Sequence, residues 1–219
     1  MLESHPAAFV IDADAAVRRR VAESLRGCPI RVDLFDSIAA FLQGYGRDAC
    51  GCVVLHAAKP GTETAAAIEA LRQAGVPFPV VVRSRAGDVA TAVAAMRAGA
   101  FHFLEKPDRD EWRSAVLEAT RHDAARRKSE AKRQAIRRRL CRLTDGERDV
   151  LWLLLRGESN AAIADRLDRS TRSIEERRAK LMRKMHARSL AELVRLTLLV
   201  DPSLAEADSA DALPRSGSD

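Results

Sequence analysis

Through its first 120 residues the chain alternates short apolar runs with stretches of helical period, and that alternation leaves few folds open. Ala7–Ile11, Ile30–Phe35, Cys52–Leu55, Pro79–Arg83 and Phe101–Leu104 read as strands. Ala15–Leu25, Ile38–Tyr45, Thr64–Ala74, Val89–Ala98 and a stretch from Asp110 read as helices. Strands joined by helices pair in parallel and need cover on both faces, so the expectation is an α/β doubly wound five-stranded parallel sheet. Sites in such sheets lie beyond the carboxyl ends of the strands. The residues placed there are Asp12, Ala13 and Asp14, then His56, then Ser84, then Lys106 before Pro107.

The second half is all helical in pattern. Between Leu143 and Val200 a scaffold helix (Thr144–Arg156) and a closing helix (Ser189–Leu199) flank two short helical patterns that meet at an Asp168-Arg169 turn. The first carries Ile163 and Leu167 inward, the second Ile174, Leu181 and Met185, with Ser170 placed to cap it. This is a helix-turn-helix pattern. Its second helix also displays Arg172, Arg177, Arg178, Lys180, Arg183 and Lys184, a cationic stripe suited to the major groove. A charge run is ordinarily only a solvated face; here it coincides with a tight two-helix unit, which favours duplex DNA as the partner.

Charge distribution supports the division. The formal net charge is +6, yet residues 1–120 are close to neutral, whereas 121–142 is dense in Arg and Lys. That basic segment, rich in helix formers, reads as a helical linker that either extends the preceding helix or forms a solvated hinge. The expected organisation is thus 1–120, linker 121–142, helix-turn-helix 143–200 and an acidic disordered tail 201–219. No stretch approaches the ~20 apolar residues of a membrane span and the start lacks a signal-peptide pattern, so a cytoplasmic protein away from membranes is expected. Cys28, Cys50, Cys52 and Cys141 fit no zinc or disulfide framework. A metal site from Cys50, Cys52 and His56 fails on distance, because at ~3.3 Å per strand residue Cys52 stands about 13 Å from His56. No metal and no cofactor are expected.

Two resemblances sharpen these expectations. The run from Leu143-Thr144 through Glu147-Arg148, Val150-Leu151, Gly157, Asn160, Ile163-Ala164, Leu167, Ile174-Glu175, Lys184 and Ser189 to Leu193 resembles the LuxR-type DNA-binding domain of FixJ-like response regulators. It departs at Ala161, where the family often has Lys, and at Arg177, where it often has His, so a target sequence does not carry over. The resemblance implies a homodimer on two half-sites and contacts from Asn160, Ser170, Thr171, Arg172, Arg177, Arg178, Lys180, Arg183 and Lys184, with Glu175 and Glu176 at base-reading positions. The first 120 residues, by AGDVATAVAAMRAGAFHFLEKP, resemble the flavodoxin-like receiver domain of the same regulators.

A receiver of that family holds magnesium on two adjacent carboxylates and on the aspartate that takes the phosphate. Here Asp12 keeps one carboxylate, Ala13 replaces the other and His56 stands at the phosphoacceptor, while Ser84, Phe103 and Lys106 match the hydroxyl, aromatic and lysine positions. Magnesium demands oxygen ligands, so one carboxylate beside an imidazole is a poor site, and aspartyl phosphate cannot form. His56 could accept phosphate, bind a metal or titrate near neutrality; the plainer expectation is that it fills the vacated site, bonds Asp12 or Ser84, and leaves Lys106 to pair with Asp12. Asp14 is expected to cap the first helix. The reading is a DNA-binding regulator, not an enzyme, whose receiver works without phosphate as a dimerisation module or a sensor of another regulator or a small ligand. A regulator phosphorylated at a non-standard residue and a protein-binding adaptor are the alternatives.

Overall fold

In a computed structural model, residues 6–46, 49–57, 63–84 and 89–202 are described. Their contacts divide into two units, one ending at Lys128 and the other beginning at Ser129.

The first unit is built on five parallel strands, β1 (Ala7–Ile11), β2 (Arg31–Phe35), β3 (Gly51–Ala57), β4 (Val80–Ser84) and β5 (His102–Glu105), in the order β2-β1-β3-β4-β5. The intervening helices are α1 (Ala15–Ser24), α2 (Ile38–Gly44), α3 (Glu63–Gln73) and α4 (Val89–Arg97), and α5 (Arg109–Leu140) follows β5. Each strand alternates between two apolar cores because its side chains point to opposite faces in turn. Phe9, Ile11, Val53, Leu55 and Val82 join Phe41, Ile68, Leu71 and Ala95 on one face. Ala8, Val10, Cys52, Val54 and Val81 join Val17, Val21, Leu25 and the α5 residues Trp112, Val116 and Ala119 on the other.

One strand runs further at both ends than its apolar run indicates. β3 begins at Gly51 and continues through His56 to Ala57, because Ala7 pairs with Gly51 and Ala57 with Ser84. His56 therefore lies within the strand instead of beyond it. Gly51 is required where it stands: its φ is 148°, and a Cβ there would sit 1.8 Å from the Ala7 carbonyl oxygen. Its amide donates to Asp123 Oδ2 at 3.0 Å, and Asp123, 0% exposed, is held in turn by Arg126 at 2.6 Å. The basic segment is helical as far as Leu140, the last residue of α5.

The second unit packs α6 (Asp145–Leu155), α7 (Asn160–Arg166), α8 (Thr171–Met185) and α9 (Leu190–Leu198) around Val150, Leu153, Ile163, Ile174, Leu181, Met185 and Leu193, with Ile136 of α5 in the same core. Each helix start is capped by a hydroxyl: Thr144, Ser159, Ser170 and Ser189 accept from the amide three residues on. Asp168 (φ 52°) turns the chain between α7 and α8, and His186 (φ 55°) ends α8. The acidic tail falls outside the described residues from 203 onward.

Candidate functional site

The carboxyl end of the sheet brings Asp12 and His56 together. Asp12 follows β1, whose neighbours are β2 and β3, the place where the strand order turns outward in both directions. His56 Nδ1 lies 2.8 Å from Asp12 Oδ2, with side-chain exposures of 9% and 10%. A carboxylate accepts only, so Nδ1 carries the proton. The other carboxylate oxygen, Oδ1, accepts from the Asp14 amide at 2.7 Å, and Arg18 Nη1 donates to the carbonyls of Asp12 (2.5 Å) and Ala13 (3.0 Å). In the sequence Arg18 looks like one more cation on a solvated helix, and only the fold brings it to these carbonyls. His56 Nε2 is buried and has no hydrogen-bond partner among the described residues.

The side chains of Ala13, Asp14 and Lys106 do not join this pair. Ala13 is exposed and contributes no oxygen side chain. Asp14 is occupied capping α1, accepting from the Ala16 amide at 2.7 Å. Ser84 is 2% exposed at the end of β4, and Phe103 packs half-buried against the core. Lys106 corrects an expectation: it does not pair with Asp12. Its backbone is in the left-handed region (φ 44°), its amide donates to the Ser84 carbonyl at 2.9 Å, and its side chain, 70% exposed, lies 3.9 Å from Glu105. Asp12 Oδ2 and Oδ1 are already bonded to His56 and to the Asp14 amide, and the ammonium lies beside Glu105 instead. Among the described residues no group of three or more His, Cys, Asp or Glu is placed to hold a metal ion. With one carboxylate, already bonded to an imidazole, the residues do not fit magnesium.

In the second unit, α8 divides its cations by what they touch. Arg172, Lys180 and Arg183 are exposed, as are Thr171, Glu175 and Glu176. Arg172 Nε lies 3.5 Å from Glu176 Oε1 one turn on, an exposed pair that is weak in water and opens readily. Ser170 is partly committed, accepting from the Ser173 amide at 3.2 Å. Three other expected contacts are engaged inside the unit. Arg178 donates to Asn160 Oδ1 at 2.9 Å, tying α8 to the first turn of α7. Arg177 lies over Gly146 of α6 so closely that a Cβ on that glycine would come 2.1 Å from Nη1. Lys184 donates to Glu147 Oε2 at 2.5 Å and to the Arg142 carbonyl at 3.2 Å.

Glu147 is the residue whose role the sequence concealed. Its carboxylate, 5% exposed, also accepts from the Thr144 amide at 2.8 Å, completing a capping box at the start of α6. Burial pushes its pKa up, but the Lys184 hydrogen bond and those from Thr144 outweigh it and hold the carboxyl below its ordinary value. The spacing Thr144-x-x-Glu147 signals the capping box; nothing local signals that Lys184 completes it.

A phosphate-receiver sheet followed by a helix-turn-helix unit defines a DNA-binding response regulator, and comparison with known proteins bears this out. Residues 8–117 match the response regulator receiver domain, and residues 142–197 match the bacterial regulatory proteins of the luxR family. The chain belongs to the FixJ-like response regulators. It is 41% identical over 191 residues to the transcriptional regulatory protein FixJ of Bradyrhizobium diazoefficiens, covering 87% of this chain and 93% of that protein. It is 32% identical over 197 residues to the response regulator TodT of Pseudomonas putida, covering 90% and 87%. Among solved structures it resembles the response regulator StyR, with a TM-score of 0.77 and 32% identity over 88% of this chain and 98% of that one. Full-length FixJ from B. japonicum gives a TM-score of 0.53 and 39% identity over 89% and 97%. Among the described residues no helix is long and apolar enough to cross a membrane.

Proposed function

We propose that this regulator binds DNA without aspartyl phosphate, its receiver serving as an assembly or sensing module. The observation that carries the reading is the Asp12–His56 hydrogen bond: the residue at the acceptor position is an imidazole whose near nitrogen is committed to the one acid left. A phosphohistidine alternative is disfavoured because Nε2 is buried. On this reading the receiver-like domain is 1–120 and the linker 121–142, and the protein acts in the cytoplasm and catalyses nothing. α8 enters the major groove with Thr171, Arg172, Glu175, Glu176, Lys180 and Arg183 toward the duplex, while Asn160, Arg177, Arg178 and Lys184 fix the helix in place. A homodimer on paired half-sites is supported by the LuxR-type membership and by Val89, Val93 and Met96, which leave 79%, 44% and 49% of their surfaces exposed along α4.

Radiolabelled phosphodonor transfer, with His56→Ala beside the unaltered chain, tests the chemistry; stable label lost on substitution overturns the proposal. Duplex affinity of untreated full-length protein beside a fragment from Ser129, which keeps Ile136 in its core, tests the receiver. Tighter, dimeric binding by the full chain marks an assembly module. Binding by the fragment alone marks a lid lifted by a ligand or partner.

A further inference from the structure

The basic run ahead of the helix-turn-helix unit forms the last turns of α5, and those turns meet the end of α8. Arg139 Nη1 donates to the Met185 carbonyl at 3.2 Å and Lys184 Nζ to the Arg142 carbonyl at 3.2 Å, while Ile136 enters the core that holds Ile174 and Leu181. The carboxyl ends of two helices therefore converge. Cations at such ends bond the last carbonyls and face the negative pole of the helix dipole, which accounts for Arg139 and Lys184. It does not account for the rest. From 129 to 142 six cations stand against one carboxylate, Glu130, which lies between Arg133 (4.0 Å) and Arg137 (3.6 Å). Lys132, Arg138 and Arg142 are exposed, and their side chains have no hydrogen-bond or ion-pair partner among the described residues.

Helical spacing gives the direction of this charge. Residues seven apart lie on nearly the same side of a helix, ~10.5 Å apart along its axis. Lys132 precedes Arg139 by seven, so it stands on the side of α5 that Arg139 presents to the end of α8. On α8, Arg172, Glu176, Ala179 and Arg183 follow at intervals of four, three and four along the exposed face, and Arg183, in the last turn, ends that row. We propose that the DNA-contacting surface runs on from the last turn of α8 to the end of α5, where Lys132, Arg138 and Arg142 hold phosphates of the backbone flanking the groove. The proposal rests on the reading that α8 enters the major groove, and it adds a contact that the helix-turn-helix unit does not supply. Such contacts position a protein on the duplex and raise affinity without reading sequence.

Fluorescence anisotropy on the full chain tests this over a range of salt, with a duplex of about 40 base pairs recovered by binding-site selection and a random duplex of the same length. Each phosphate contact contributes ~0.9 to the slope of log affinity against log salt, so Lys132→Gln/Arg138→Gln/Arg142→Gln is expected to lower the slope by about 2 to 3 on both duplexes. The sequences selected should not change. Arg19→Gln/Arg20→Gln/Arg26→Gln removes the same charge from exposed positions on and after α1, and is expected to move the slope by less than about 0.5. Should circular dichroism show the triple α5 variant misfolded, Lys132→Gln alone, at an exposed helical position where Gln is a good helix former, is expected to lower the slope by about one. A slope unchanged by the α5 substitutions, an equal fall in the α1 variant, or an altered selected sequence overturns the proposal. Absence of salt-dependent binding to either duplex overturns it together with the α8 reading. A slope that falls for the α5 variants but not for Arg172→Gln/Arg183→Gln overturns the α8 reading alone and leaves the phosphate contact by α5 standing.

Discussion

Lys184→Met is the substitution that best separates a structural cation from a DNA-contacting one on α8. The methionine keeps most of the apolar stem and deletes only the ammonium. What remains is the Glu147 carboxylate, 5% exposed, bonded at 2.8 Å to the Thr144 amide and to nothing cationic. Breaking a fully buried pair costs roughly 3–5 kcal/mol because the surviving charge is stranded. Lys184 is 38% exposed, so water can reach the vacated position, and the expected loss falls to about 2 kcal/mol. For a unit of this size that lowers the melting temperature by roughly 10 °C.

The penalty is also pH-dependent. The folded pKa of Glu147 is depressed, so its contribution is present above the unfolded value near ~4.3 and fades as pH falls through the lower folded value. Without Lys184 the effect of burial on the carboxyl is opposed only by the Thr144 bonds, so the stability lost in acid at this residue shrinks. The difference between the variant and the unaltered chain should be largest at neutral pH and shrink below about pH 4. Urea unfolding in a Trp112→Phe background, where Trp152 of α6 is the sole tryptophan, reads this out. In DNA binding, the slope of log affinity against log salt should stay unchanged for Lys184→Met and fall by about one for Arg183→Gln. A Lys184→Met variant of undiminished stability whose slope falls by about one would refute the reasoning.

Three further outcomes follow from the same structure. Glu176→Ala should alter the sequences recovered in binding-site selection while leaving the salt slope nearly unchanged; a uniform loss across all sequences contradicts a base-reading role. Gly51→Ala should destabilise the receiver unit by about 3 kcal/mol or more in urea unfolding, since a Cβ there meets the Ala7 carbonyl and the backbone is at positive φ. An unchanged midpoint argues against that backbone. Burial first, then the nearby Asp123 carboxylate, push the Cys52 thiol up to about 12, so iodoacetamide at pH 8 should label exposed Cys141 and spare Cys52 until the chain unfolds. Mass spectrometry showing Cys52 modified in the native protein would count against its burial.

The elements were legible because their causes are local. Periodicity placed all five strands and most helix ends within a residue or two, and the caps at Asp14 and Ser170 are short-range hydrogen bonds written into adjacent residues. What escaped is set across the fold. The basic stripe on α8 looks uniform in one dimension; packing against α6 and α7 divides it, engaging Arg177, Arg178 and Lys184 while Lys180 and Arg183 stay exposed. The extra strand residues around His56 follow from pairing with β4, a partner remote in sequence.

These observations form one electrostatic account of the receiver. A phosphate site needs an acid to accept the group, acids to hold the metal and a cation to receive the product's charge. Replacing the acceptor with His56 bonds Asp12 internally, and Ala13 beside it contributes no second carboxylate. Lys106 lies instead beside Glu105 at the surface. A receiver arranged this way offers a phosphoryl group no carboxylate at position 56 and no second acid beside Asp12, which supports the reading that it works without phosphoryl transfer.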